Sequence, residues 1–374
     1  MSKLVALDLM GGESFVSHLQ RIWDEGNAVL PLDQRLPISE RRKLISRMGA
    51  SQVISSNEEQ TISGLPVEDG DALVVATSGT EGIPKGVVLT HDALLASALI
   101  TSKALSVDPT NDRWLSCLPV SHIGGLSVLT RALLTGTEVD VHGEFSSREC
   151  ENAGRSGSTL VSLVVTAMQR VDVSLFRKVL VGGSSIPADL PENVVATYGM
   201  TETGSGVVYD GLPLEGVELR IENREILIKS PSLFRCYRDG TEPFHDDGWF
   251  QTGDGGELEA SGKLTVFGRL EEVIVSGGEN IWPLTVEKAL RNLPWISDVA
   301  VVGQPDREWG ELVTAFVVLE YRNKPSSLEK LREELESFLP RYALPRALHT
   351  VEHLPKTASG KVLKRVLLTG LGAQ

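Results

Sequence analysis

The chain has 374 residues, of which 41% are hydrophobic and 23% charged, with 36 Lys and Arg against 50 Asp and Glu, a formal net charge of −14. These are globular proportions and exclude general disorder; the length suits two or three domains of roughly 100–200 residues each. An acidic chain with no long Lys/Arg run is a poor candidate for binding nucleic acid or an anionic membrane, since both need a positive face, whereas a local basic patch can still hold a phosphorylated ligand. Three cysteines, Cys117, Cys150 and Cys236, lie far apart without a CxxC pair. That argues against a disulfide framework or a cysteine zinc site and fits a reducing cytoplasm. The opening MSKLVALDLMGGESF lacks the apolar length and cleavage pattern of a signal peptide. No run approaches the roughly 18 apolar residues that span a bilayer. A cytoplasmic protein is expected.

Apolar runs of strand length fall at 73–76, 160–165, 179–181, 226–228, 299–302 and 313–319, and helical patterns at 92–106 and 285–292. Their alternation predicts an α/β architecture. The Gly-rich stretch 250–275 predicts short strands joined by Gly turns, an antiparallel meander with barrel-like character. Further on, Ser326 and Glu329 form a capping-box pattern ahead of a helix whose face carries Leu328, Leu331, Leu335 and Leu339. The strand-like run 313–319 and the segment 348–354 flank that helix. The expected domains are therefore a large α/β domain, 1–270, and a small α+β domain, 271–374.

Short polar segments carry the chemistry. In TSGTEGIPKG, residues 77–86, Thr77, Ser78, Gly79 and Thr80 offer hydroxyls and backbone N–H groups to phosphate oxygens, and Lys85 adds a cation. It is not a Walker A loop, because Pro84 stands where that register needs Gly. YGMTETG, 198–204, places Glu202 beside hydroxyls in a Gly-flanked loop, an oxygen ligand for a hard cation such as Mg2+. Gly183 and Ser184, in a turn of small residues, leave room for a flat purine, with Tyr198 either covering the base or packing in the core. In WFQTGDGG, 249–256, Asp254 in a Gly-bracketed turn can accept ribose hydroxyls. Arg269 either meets ribose or phosphate oxygens or pairs with Glu271 or Glu272. Near the end, PKTASGK sets Lys361 in a turn-rich stretch with Lys356, Lys364 and Arg365 close by. Such a lysine can stabilise charge developing on a carboxylate or phosphate, or belong to a solvated basic tail.

Together TSGTEGIPKG, YGMTETG, WFQTGD, GRLEEVIVSGGENI and PKTASGKVLKR occur in the order characteristic of the adenylate-forming superfamily, which the chain resembles over roughly residues 70–365. The resemblance implies a two-step ligase in which a carboxylate attacks the α-phosphate of ATP and a thiol, usually of CoA, then displaces AMP. By position it implies that Thr77, Ser78, Gly79, Thr80 and Lys85 hold the β/γ-phosphates, Thr201 the α-phosphate and Glu202 the Mg2+. Gly183, Ser184 and Tyr198 would frame adenine, and Asp254 and Arg269 would hold the ribose. Lys361 would act in adenylation only, on a small mobile C-terminal domain that rotates about a hinge at Glu271. Gly277 and Gly278 would face the thiol tunnel. The chain departs from the pattern at Glu81 and Glu271 and has an abbreviated start, since the phosphate loop begins at residue 77.

The acid is chosen by LPVSHIGGLS, 118–127, and the helix after it. HIGGLSVLTRALLTG and GNAVLPLDQRLP are similar to stretches of the o-succinylbenzoate–CoA ligase group of menaquinone biosynthesis. The resemblance puts His122 against the acid, with Gly125 and Ser127 beside it. Arg131 is either the partner of a second substrate carboxylate or a structural arginine that caps a helix or pairs with Glu138. A ligase for another aromatic or medium-chain acid is the alternative, and a non-catalytic nucleotide-binding regulator is the alternative of another class. A luciferase, a peptide-synthetase module and a serine hydrolase are disfavoured, the last because no G-x-S-x-G elbow occurs. The expected partners are a carboxylic acid, ATP and CoA; a homo-oligomer is left open.

Overall fold

The structure is a computed structural model that describes residues 2–77, 84–183, 186–187, 189–320, 327–356 and 362–371. The chain divides into two compact units, one of Met1–Arg220, Leu227–Gln251 and Leu258–Leu264, the other of Ile221–Ile226, Thr252–Glu257 and Thr265–Gln374. The helices are α1 (Glu13–Asp24), α2 (Ile38–Met48), α3 (His91–Ala104), α4 (Ile123–Thr135), α5 (Ser147–Arg155), α6 (Val165–Met168), α7 (Pro283–Arg291), α8 (Leu328–Leu335) and α9 (Lys364–Leu371).

The larger unit holds two seven-stranded sheets. The first runs in the order Cys236–Tyr237, Lys85–Thr90, Asp71–Thr77, Ala28–Pro31, Leu4–Asp8, Gln52–Ser55, Glu59–Thr61. The second runs Leu212–Pro213, Gly206–Tyr209, Val194–Gly199, Lys178–Gly182, Leu160–Val164, Arg113–Ser116, Glu138–Val141. The middle strands of each pair in parallel. They are accordingly near-continuous apolar runs such as LVALD and LVSLV, as strands covered on both faces must be. Local chemistry sets the helix ends. Thr90 caps α3 by accepting from the Ala93 N–H at 3.1 Å, and α4 stops at Gly136, whose φ of 69° suits a residue without Cβ.

In the smaller unit Glu279–Ile281, Ile274–Ser276, Gly310–Leu319 and Ile296–Asp306 pair in that order, with Ala347–Thr350 parallel to Gly310–Leu319. Alternation places Val299 and Val301 on the face covered by Leu290, Leu331 and Leu335, and Ala300 and Val302 on the face with Leu354 and Leu367. The α/β body and the small α+β unit agree with the expected fold class.

Several local expectations are corrected. The meander is not barrel-like: among the described residues it is an open four-stranded sheet, ordered Glu218–Glu222, Glu225–Lys229, Phe250–Leu258, Leu264–Arg269. The run 160–165 ends as a strand at Val164, and Val165 already opens α6. Helix α8 starts one residue later than the capping-box reading placed it. Ser327 is its N-cap, accepting from the Lys330 N–H at 3.3 Å, while Ser326 lies outside the described residues. Leu339 is buried as expected, but beyond the end of the helix.

Candidate active site

Strands Asp71–Thr77 and Lys85–Thr90 form an antiparallel hairpin with Thr77 opposite Lys85. The phosphate-loop residues Ser78, Gly79, Thr80 and Glu81 between them lie outside the described residues, as do Ser184 and Lys361. At the hairpin's base the Thr77 hydroxyl donates to the Lys85 carbonyl at 3.4 Å, and the Lys85 side chain is exposed. Its Nζ lies 4.9 Å from the centroid of the Tyr237 ring, a cation–π contact. The same tyrosine donates from its hydroxyl to Glu202 Oε1 at 2.9 Å. Lys85, Tyr237 and Glu202 therefore form one polar cluster, in which a phenol sits between the predicted phosphate-binding cation and the predicted metal ligand.

Glu202 lies in the short turn Thr201–Thr203, which follows strand Val194–Gly199 and ends at Gly204 with φ 71°. The turn is fixed from below: Thr203 is fully buried, accepts from the Met200 N–H at 2.9 Å and donates to the Ser205 carbonyl at 2.6 Å. Thr201 and Glu202 stay partly exposed on it. Tyr198, half-buried, is the penultimate residue of the same strand, and Gly183, with φ 84°, directly follows strand Lys178–Gly182. These two strands pair in parallel in the middle of the sheet, so Gly183 and Tyr198 lie at the same end of it. Among the described residues no three His, Cys, Asp or Glu side chains gather as a metal cage. One carboxylate in a partly exposed turn still fits Mg2+, which keeps several waters and takes substrate phosphates instead of an all-protein cage.

His122 is the N-cap residue of α4, and its side chain makes no capping bond. It meets residues of a distant segment: Arg35 Nη2 lies 2.8 Å from His122 Nε2, and Asp33 Oδ2 lies 3.4 Å from it. Arg35 grips Asp33 with its backbone N–H at 3.0 Å, Nε at 2.8 Å and Nη2 at 2.7 Å. Burial pushes the Asp33 carboxyl upward, but these bonds prevail and hold it well below the usual carboxylate range. Gly125 is buried, and a Cβ there would run into the carbonyl oxygen of Leu118 and come within 2.6 Å of that of Pro119. Its role is to let α4 approach the preceding loop. Ser127, also buried, follows on α4.

Arg131 neither caps a helix nor pairs with Glu138, which is taken by Arg113 at 2.6 Å. It lies within α4, only 2% exposed, with its guanidinium 4.8 Å from the Trp114 ring centroid. Its Nε and Nη1 are buried with no hydrogen-bond partner among the described residues. Burial lowers its pKa from the ordinary arginine value, partly offset by Tyr209. A cation so placed is costly unless an anion reaches it.

In the smaller unit Asp254 and Arg269 meet at 3.1 Å, and Arg269 Nη1 donates to the Thr252 carbonyl at 2.9 Å. Asp254 sits on strand Phe250–Leu258 and not in a turn, and Arg269 is not paired with Glu271 or Glu272. Glu271 lies exposed in the turn Leu270–Glu272. Gly277 and Gly278, with φ of 60° and 86°, make the two-residue turn between Ile274–Ser276 and Glu279–Ile281, where both positions need φ above zero. Two cations of the basic tail are paired, Lys364 with Glu272 at 2.7 Å and Glu287 at 3.0 Å and Lys356 with Asp298 at 2.6 Å, while Arg365 is exposed.

Sequence reasoning missed Tyr237, Asp33 and Arg35. The last two stand in PLDQRLP, where a lone Asp and Arg two apart give no signal; only the resemblance of that segment marked it. Tyr237 lies more than thirty residues from Glu202 and outside every motif singled out.

The paired sheets, the Gly/Ser/Thr hairpin and the carboxylate-bearing turn define the class of adenylate-forming enzymes. ATP-bound MatB from Rhodopseudomonas palustris shares the fold at TM-score 0.87 and 21% identity, over all of this chain and 89% of that one. The chain belongs to the AMP-binding enzyme family: residues 66–238 match the family model of that name, and residues 285–361 match the AMP-binding enzyme C-terminal domain. A probable 2-succinylbenzoate–CoA ligase of Mycobacterium tuberculosis is 38% identical over 331 residues, 82% of this chain and 86% of that protein. The 2-succinylbenzoate–CoA ligase of Bacillus subtilis is 32% identical over 93% of this chain and 79% of its own length. The o-succinylbenzoate CoA synthetase (MenE) from Bacillus subtilis, solved with the acyl-adenylate intermediate OSB-AMP, superposes with TM-score 0.85 at 28% identity, covering 98% of this chain and 88% of that one.

Proposed function

We propose that this chain is an ATP- and Mg2+-dependent acid–CoA ligase that converts 2-succinylbenzoate, ATP and CoA into 2-succinylbenzoyl-CoA, AMP and diphosphate, a cytoplasmic step of menaquinone biosynthesis. The observation that carries the reading is the likeness, along nearly the whole chain, to an enzyme solved with the adenylate of that acid. The same synthetase solved with ATP and magnesium ion, at TM-score 0.86, supports the two cofactors.

In this reading Thr77, Ser78, Gly79, Thr80 and Lys85 hold the β/γ-phosphates, and Thr201 contacts the α-phosphate. Mg2+ on Glu202 supplies charge neutralisation to the phosphates. Tyr198, Gly183 and Ser184 frame adenine; Asp254 accepts from the ribose hydroxyls and Arg269 orients Asp254. Lys361 neutralises charge at the carboxylate and α-phosphate during adenylation, from a mobile domain 271–374 that turns at Glu271, and Gly277 and Gly278 line the path of the thiol. His122, Gly125 and Ser127 lie at the acid, and Arg131 receives the carboxylate that remains after adenylation. Its two unpartnered buried nitrogens support that role.

The test is incubation with ATP, Mg2+, CoA and a panel of acids, following diphosphate and acyl-CoA. Selective turnover of 2-succinylbenzoate is expected. Turnover confined to benzoates or fatty acids would keep the mechanism and remove the substrate and pathway; no diphosphate from any acid would remove the enzyme reading. Lys361→Ala is expected to lose adenylation by on the order of 10²–10³ while still passing a supplied acyl-adenylate to CoA.

A further inference from the structure

Three polar groups from two distant segments converge at the head of α4. An arginine terminal nitrogen carries two hydrogens and no lone pair, so it donates to whatever it touches. Arg35 Nη2 has two acceptors in reach, Asp33 Oδ2 at 2.7 Å and His122 Nε2 at 2.8 Å. Asp33 Oδ2 and His122 Nε2 are 3.4 Å apart, the longest of the three contacts and one that becomes a hydrogen bond only if the ring carries a proton on Nε2. His122 Nε2 then presents a lone pair, and the neutral ring must carry its proton on Nδ1. Asp33, only 9% exposed, supplies the fixed anion that holds Arg35 through two guanidinium bonds and one from its backbone N–H.

We propose that Arg35, anchored by Asp33, is a positioning residue that sets the tautomer of His122, holding Nε2 as an acceptor and Nδ1–H as a donor for the substrate acid. The use made of that donor rests on the ligase reading; the tautomer does not. Without Arg35 the nearest partner of Nε2 is the Asp33 carboxylate. The proton moves to Nε2 to donate there, and Nδ1 turns from donor to acceptor.

The experiment reads ring and reaction separately. Nitrogen-15 correlation spectra of imidazole-labelled full-length protein, with His122→Gln to identify the signals among seven histidines, report the tautomer. The wild-type ring is expected as Nδ1–H and the Arg35→Met ring as Nε2–H. In steady-state assays Arg35→Met is expected to raise KM for the acid about tenfold, the value of one hydrogen bond of about 1.4 kcal/mol, while KM for ATP stays put. Arg35→Lys, which can still bridge both acceptors, is expected to restore part of the loss; Arg35→Gln stands in if Arg35→Met does not fold. A wild-type ring protonated on Nε2, or an unchanged tautomer without Arg35, would overturn the proposal, as would equal rises in both KM values. The expected tautomers in a protein that consumes no acid would sink the ligase reading and leave the assignment of the ring intact.

Discussion

Tyr237 holds Glu202 by one hydrogen bond of 2.9 Å while its ring lies under Lys85, so a single side chain couples the residues assigned to metal and phosphates. A hydrogen bond to a charged acceptor contributes about 1.5–3 kcal/mol. Tyr237→Phe keeps the ring and loses the bond, so the Mg2+ concentration for half-maximal activity is expected to rise about tenfold or more. Magnesium titration of adenylation at saturating acid measures it, and an unchanged midpoint would show that Glu202 is oriented otherwise. Arg131 tests the opposite balance. Replacing even a paired buried charge by well-packed hydrophobes is often neutral or stabilising by about 1–4 kcal/mol, and an unpaired one gives up less. Arg131→Met is therefore expected to raise the denaturation midpoint while weakening 2-succinylbenzoate at least tenfold and sparing acids with one carboxylate. A less stable variant with unaltered acid preference would make Arg131 a packing residue on Trp114.

Elements, unlike single contacts, are set by what their backbones tolerate. At the head of α4, Gly125 faces carbonyl oxygens of Leu118 and Pro119, whereas a Cβ on Gly124 would meet only Leu118 Cδ1 at 3.8 Å. Gly125→Ala is expected to cost about 2–3 kcal/mol, near the top of the overpacking range, and Gly124→Ala to be tolerated. Urea denaturation of the two variants decides this. The same loop carries His122, so Gly125→Ala should also weaken acid binding. In the smaller unit, Ser327→Ala removes the cap of α8 and is expected to cost about 1 kcal/mol. These glycines and serines were visible in the sequence, but their reasons were not. HIGGLS does not say which of its glycines lies under a carbonyl, and SSLE does not say which serine is the cap.

For the whole molecule, acid stability follows from carboxylates held below their ordinary pKa. Asp33 is one; Asp112 is another, where burial opposes but bonds from Arg177 and Thr159 prevail. A folded-state pKa below the unfolded value of about 3.9 means that each group's contribution is full above that pH and lost as pH falls towards the folded value. Unfolding free energy is thus expected to fall steeply below about pH 4, after a shallower decline that begins near about pH 6.5, because burial lowers the pKa of His91 and the unfolded chain takes up that proton first. Asp112→Asn should flatten that acid limb while lowering stability at neutral pH, since Arg177 loses its partner at 2.6 Å. A limb of unchanged slope would place the acid sensitivity elsewhere.

The sequence by itself determined the alternation of strands and helices, the fold class and the chemical type of the ligand. Apolar periodicity reflects which faces meet water, and phosphate, metal and ribose each demand a short local cluster of glycine, hydroxyl and charge. Glu202, Lys85 and Asp254 were legible because each stands in such a cluster. Only the tertiary structure decided the partners: Tyr237 on Glu202, Arg35 on His122, Asp254 on Arg269, and Arg131 against Trp114 with no anion. Each joins residues fifteen or more apart in sequence. Nothing in a side chain's neighbours along the chain encodes a hydrogen bond made across a sheet or between loops, because that bond exists only once packing has brought the two segments together.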